Sequence, residues 1–237
     1  DVGLTHVAAD AATSEMWRPS WAHQYDDIQV QKASATVLME PKCDSNLTNF
    51  EFQMCKAYSL FAFRWWKVNI LVNALSAMKS PVDLVCVQCP SNARHRAGYS
   101  PRHNRIWMCG NLIWNPFEFR RVMAHELVHA FDFARAQVDP ESCVHMACTE
   151  VRAWNLSGEC DLWRNWFTFL GDDMVNRKQR CVKDGALASV MDSDRCSDGR
   201  VACTALEQAF APCFRDHWPF TTRPDLDTRW RESPMLR

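Results

Sequence analysis

The segment Ala124-His125-Glu126-Leu127-Val128-His129-Ala130-Phe131-Asp132 constrains this chain more than any other. Two histidines four residues apart stack on one face of an α-helix. His125 and His129 can therefore hold one metal ion from the same side. Glu126 lies about 100° round the helix from His125, within reach of a water on that metal but badly placed to be a ligand. The flanks agree: Val122, Met123, Leu127, Val128, Ala130 and Phe131 are uncharged, so the helix can be buried while its imidazoles meet a cleft. Two histidines on a surface helix are the bland alternative, and a charged or proline-broken frame would have favoured it.

Two imidazoles followed by a carboxylate base is the zincin arrangement. It needs a third protein ligand, with one position left open. Glu150 is the leading candidate, in a segment with apolar residues at 147, 151 and 154 and a Ser157-Gly158 stop, which reads as a second helix. A glutamate from a following antiparallel helix would match the gluzincin plan. The metzincin alternative is disfavoured, because its third histidine would fall on Arg135. Asp132 lies one turn after His129, suited to orienting an imidazole or holding Arg135; with Arg152 these residues are candidates for the shell behind the ligands. The competing reading of Glu150 is an ion pair with Arg152 or another basic residue. The chemistry this set supports is peptide hydrolysis: zinc on His125, His129 and Glu150 lowers the pKa of its water toward ~7. Glu126 then carries a proton from that water to the leaving amine. Candidate oxyanion donors are His145, His103 and Tyr99, although His145 suits a structural place at a helix start better.

A 237-residue chain that is 47% hydrophobic can bury one substantial core. Its nearest approach to a membrane span, 58–78, is interrupted by Arg64, Lys67, Asn69 and Asn73 and falls short of the ~20 apolar residues required. A net charge of −1 gives no electrostatic case for nucleic acid. The 11 tryptophans are dispersed, as core and interface residues are, and some could form an apolar surface for a partner.

The 12 cysteines are too many for an ordinary cytosolic enzyme. Cys86 and Cys89 with Cys109 could hold a structural zinc, but no second CxxC completes a ribbon. Disulfides in an oxidising compartment are the favoured reading, with connectivity undetermined. The chain begins at Asp1, as expected of a processed or trimmed form, and shows no apolar signal peptide. The sequons at Asn46 and Asn155 read as chance matches, the second lying in the Glu150 helix where a glycan is hard to place.

Along the chain, 1–40 reads as a peripheral extension, with a short element over 33–39. Residues 43–78 read as helical. Residues 82–87 and 105–109 read as short strands around a turn-rich 90–104. Helices follow over 116–136, 142–157, 160–170, 174–192 and 200–214, and the tail from Trp218 reads as extended. The expected fold class is α+β, a mainly helical gluzincin-like zincin. A small sheet precedes the HExxH helix, ready to take extended substrate along an edge strand, and disulfides staple the whole. One domain over 41–220 is expected, with 221–237 as tail.

Several blocks together resemble a known family. They are His125 to Asp132, Arg135-Ala136, Val138-Asp139, His145 to Ala153 and Asn155 to Cys160. Cys181-Val182-Lys183, Cys213 to Asp216, Pro219-Phe220, Cys86-x2-Cys89 and Ile106 to Cys109 add to them. The family is the mitochondrial inner-membrane metalloproteases that process and help assemble the F-type ATP synthase. The resemblance covers roughly 43–220. It implies an enzyme of the intermembrane space, peripherally attached to the inner membrane and oxidised there. Its partner would be a membrane-sector subunit of ATP synthase or its precursor, or a larger inner-membrane complex, with a chaperone role separate from proteolysis. It also suggests that the tryptophans grip a hydrophobic client or the membrane surface.

The chain departs from the family pattern at Ala134, where a cysteine is usual, at Cys143, which looks added, and at Trp154, where a small residue is usual. None of these touches His125, Glu126, His129 or Glu150. Two functional classes follow: an active processing protease, or an assembly factor or bound subunit of a respiratory or ATP synthase complex. An intact Glu126 favours the first. A secreted zincin is a third and weaker reading.

Overall fold

The computed structural model describes residues 41–43, 46–161, 174–193 and 195–221. The first helix starts at a capping box. The Thr48 hydroxyl accepts from the Glu51 N–H, and the Glu51 carboxylate accepts from the Thr48 N–H at 2.9 Å. Helices α1 (Asn49–Phe63) and α2 (Trp66–Ala77) follow. The expectation of one helical stretch over 43–78 is corrected here. Lys42–Cys43 forms a short strand, β1, and the helix breaks at Arg64–Trp65, with Trp65 in extended backbone. The break directs Val68, Leu71 and Leu75 into the core and carries Lys67 inward, where its ammonium pairs with Asp161 at 2.7 Å.

Strands β2 (Asp83–Val87), β3 (Ala97–Ser100) and β4 (Arg105–Cys109) complete a four-stranded sheet in the order β1-β2-β4-β3. β1, β2 and β4 run parallel, and β3 is antiparallel to β4 at the edge. β2 and β4 fall where the alternation places them. β3 lies inside the stretch read as turn, and the reason is local. Gly98 sits directly opposite Trp107, and a Cβ there would come within 2.5 Å of the indole. The residue that reads as a turn former is the seat for a cross-strand aromatic.

Four further helices match the periodicity: α3 (Pro116–Arg135), α4 (Cys143–Leu156), α5 (Met174–Met191) and α6 (Gly199–Arg215). Asn115 caps α3 by accepting the Phe117 and Glu118 N–H groups, with Pro116 at the first helical position. Helix α4 stops at Gly158, whose φ of +91° suits glycine; a Cβ there would also meet Trp65 at 2.9 Å. The helix expected over 160–170 lies beyond residue 161 outside the described residues, as do the extension 1–40 with its element at 33–39 and the tail past 221. Among the described residues no helix is long and apolar enough to cross a membrane.

The core has two parts. One gathers α1, α2, the sheet and α3 around Leu71, Ile106, Met123, Leu127 and Phe131, joined by Ala153 and Leu156 of α4. The other packs α4, α5 and α6 around Ala147, Val151, Val182, Ala202 and Phe210. Helices α3 and α4 meet at the seam between them.

Disulfides staple both parts. Cys55–Cys86 and Cys89–Cys109 hold the first; Cys143–Cys196, Cys148–Cys213 and Cys160–Cys181 hold the second. The alternative of a structural zinc on Cys86, Cys89 and Cys109 is thereby overturned, since Cys86 and Cys89 have different partners. Cys143, the added cysteine, is bonded to Cys196, while Cys203 is free and exposed. Asn155 is buried, and its amide donates to Phe214 O at 2.9 Å, so the second sequon has no room for a glycan.

Loops of 20 to 65 residues closed this way each restrict the unfolded chain by about 3–4.5 kcal/mol in the entropic account. Reductant should therefore abolish the far-UV helical signal at a temperature where a chelator leaves it intact. Non-reducing peptide mapping should recover these five linkages.

Candidate metal centre

Helix α3 carries His125, Glu126 and His129; α4 carries Glu150. The seam brings one ligand atom from each of His125, His129 and Glu150 within 4.8 Å of one another. Glu150 Oε1 lies 3.4 Å from His129 Nε2, and Oε2 lies 3.4 Å from His125 Nε2. The two imidazoles stand at 71° with centroids 4.9 Å apart. The buried Oε2 has no hydrogen-bond partner. Two imidazole nitrogens and a carboxylate oxygen spaced too far for good hydrogen bonds, one atom orphaned, are what a tetrahedral cation with an open fourth position would satisfy. The residues fit zinc.

The electrostatics agree with a concentrated charge site. Burial works against the His125 imidazolium, but contact with Glu150 and the charges of Glu150, Glu126 and Glu159 push it up to about 9. Burial likewise opposes the Glu150 carboxylate, yet His129 and His125 hold it down at about 2. Glu126, 8% exposed, is raised by burial, against the pull of both histidines. Edge strand β3 packs against α3 near the base, with the Tyr99 ring 5.8 Å from that of Phe133.

Behind the ligands, Asp132 accepts from Arg135 Nε at 3.0 Å and from Arg152 Nε at 2.9 Å. Arg152 is fully buried and also reaches Asp216 Oδ1 at 2.8 Å and the carbonyls of Asp216 and Trp218. Arg135 pairs with Asp216 at 2.6 Å. Arg152 thus turns toward Asp132 and Asp216, and Glu150 faces the histidines instead of pairing with it. The three oxyanion-donor candidates each have another contact. The Tyr99 hydroxyl donates to Asn104 Oδ1 at 2.9 Å, and burial pushes it up to about 12. His103 Nδ1 lies 3.1 Å from the Ser100 hydroxyl, and His145 Nδ1 accepts from the Asp139 N–H at 3.1 Å.

Sequence reasoning missed Asp216 and Ser189. Ser189 of α5 accepts from the Trp154 indole N–H at 3.1 Å and helps hold the Glu150 carboxylate down; it sits on a separate helix, with no local pattern to mark it. Trp154 was within reach, since it falls four residues after Glu150 on the same helix face.

The sequence pattern of the Peptidase M76 family matches residues 23–221. The chain belongs to that family. Among its relatives is the mitochondrial inner membrane protease ATP23 homolog of Homo sapiens, 36% identical over 166 residues, which are 68% of this chain and 66% of the human one. The Xenopus laevis homolog is 38% identical over 140 residues, 59% of this chain and 58% of its own. The Pyricularia oryzae mitochondrial inner membrane protease ATP23 is 36% identical over 148 residues, 58% of this chain and 54% of its own. The chain thus spans between about half and two thirds of the length of these relatives. No solved structure matches. The M76 match makes the chain a member of a peptidase family, and the His125, His129 and Glu150 cluster is where its metal chemistry would sit.

Breaking the buried network leaves uncompensated charge. Arg152→Met should lower stability by about 3–5 kcal/mol in urea unfolding. Burial tends to raise Asp216, but Arg152 and Arg135 hold it below the ordinary aspartate range. Its contribution is therefore present above the unfolded pKa and lost as pH falls through the lowered folded value. An Asp216→Asn variant should be less stable at neutral pH and show a shallower loss of stability on acidification, read from urea midpoints at several pH values.

Proposed function

We propose that this chain is a zinc-dependent endopeptidase of the HExxH type with a gluzincin-like plan. Its place would be the mitochondrial intermembrane space, in peripheral contact with the inner membrane. The observation that carries the reading is the convergence of His125, His129 and Glu150 within 4.8 Å, with Glu126 buried beside them. The names of the relatives, mitochondrial inner membrane proteases, support the compartment. The client is a membrane-sector subunit of ATP synthase, whose presequence is removed and whose assembly is aided. This rests on the resemblance described above.

Zinc bound there would polarise the scissile carbonyl and acidify the attacking water. The chain does the rest. β3 is the edge strand of the sheet among the described residues, and an extended substrate can add a strand there. Glu126, raised by burial, takes the water's proton and returns it to the leaving amine. Asp132, Arg135 and Arg152 fix the helices that carry the ligands. Tyr99, whose ring packs on Phe133 of α3, is the preferred oxyanion donor over His103 and His145, once its hydroxyl leaves Asn104.

Glu126→Gln should bind zinc like the parent and cleave a presequence-bearing precursor about 10²–10⁴-fold more slowly. Metal content by mass spectrometry and a single-turnover cleavage assay measure the two. Undiminished cleavage would sink the mechanism. A variant that cleaves nothing yet restores complex assembly in a null strain would make the non-proteolytic assembly role primary.

A further inference from the structure

The second turn of α3 carries Arg120 and Arg121, and the Nε of each is buried without a hydrogen-bond partner among the described residues. A guanidinium cannot shed its proton to escape that cost. Arg121 has an ion pair with Glu159, just past α4, but at 3.8 Å between Nε and Oε2 it is too long for a hydrogen bond. Arg120 lies against rings instead, 4.6 Å from the centre of Trp65 and 4.8 Å from that of Phe117. Arg121 precedes His125 by four residues, so it shares the ligand face of α3 one turn, about 6 Å, toward the helix start. Its side chain is 23% exposed, so a peptide lying across the ligands can reach it.

Trp65 gathers the neighbouring charges. The Lys67 ammonium also lies over its ring, at 5.4 Å, and pairs with Asp161 at 2.7 Å. A Cβ on Gly158 would meet Trp65, Asp161 and Lys67 all within 3.3 Å. Three cations, Lys67, Arg120 and Arg121, thus stand with two carboxylates, Asp161 and Glu159. Lys67 takes Asp161, Glu159 serves Arg121 loosely, and one positive charge is in excess. A structural pair in such a place closes to about 2.7–2.9 Å, as Lys67 and Asp161 do. The open Arg121–Glu159 pair and the excess charge both leave room for one more carboxylate.

We infer that Arg121 takes a carboxylate of the bound peptide, one helical turn from the metal position, with Glu159 steadying the guanidinium until the peptide supplies a closer acceptor. That carboxylate belongs to an acidic side chain or to the peptide's C-terminus. The inference rests on the reading of His125, His129 and Glu150 as the centre where a peptide binds. Its test is peptide affinity by fluorescence anisotropy, on the full zinc-loaded chain carrying Glu126→Gln. Three peptide sets of one length are compared: end-blocked with one Asp or Glu, end-blocked with none, and free at the C-terminus without acidic side chains. One carboxylate set should bind about 10- to 100-fold tighter than the neutral set, and which one does so identifies the source. Adding Arg121→Gln should bring that ratio close to one with helical signal and zinc affinity retained. Arg121→Lys keeps the charge without the planar fork, should keep only part of the ratio, and carries the comparison if the glutamine variant loses its helical signal. Glu159→Gln removes a competing acceptor and should hold or raise the ratio. Equal or absent binding of all three sets, or a ratio that survives Arg121→Gln, would overturn the inference. So would a loss in Glu159→Gln as large as in Arg121→Gln, which would make the pair structural. Carboxylate-dependent binding with no cleavage by the parent would leave Arg121 in this role and remove the endopeptidase reading alone.

Discussion

The Arg152 guanidinium, with no exposed surface, is the charge that the rest of the structure has to accommodate. A buried cation is tolerated only where its donors find acceptors. Arg152 finds Asp132 on α3, Asp216 just past α6 and the Trp218 carbonyl. Those partners come from two elements besides its own, so the demand of one side chain fixes how α3, α4 and the segment after α6 meet. The ligands ride on the same helices. His129 lies one turn before Asp132, and Glu150 lies two residues before Arg152. A shift of α4 along α3 would break the buried pair and the metal cluster together.

The candidate site was legible because its parts are local. Two histidines at helical spacing, uncharged flanks and a second helix ending at Ser157-Gly158 define His125, Glu126, His129 and Glu150 without any knowledge of packing. The helices of the second half were legible for the same reason, since period and caps are written in consecutive residues. What stayed hidden depends on neighbours distant in sequence. β3 exists because Gly98 finds Trp107 across the sheet, and a window around Gly98 reads as turn. The helix break at Trp65 serves the burial of Lys67 against Asp161, nearly a hundred residues on. Asp216 and Ser189 belong to the site only through tertiary contact.

The cysteines divide in the same way. Their number pointed to an oxidised framework, and the pairing followed the two cores. Two bonds tie β2 to α1 and the segment after β2 to β4; the other three tie α4 to α6 and to the turn before α6, and the turn after α4 to α5. No disulfide among the described residues joins one core to the other. The covalent framework makes two firm halves and leaves their union to α3, α4 and the charges between them.

That seam gives the ligand cluster a mechanical meaning. The imidazoles come from α3 and the carboxylate from α4, the two helices that meet there. An ion held between them is therefore also a rivet, and its binding strength gauges how well the halves are aligned. Anything that pries the halves apart would pull on the rivet directly, and an ion that tightens it would stiffen the seam.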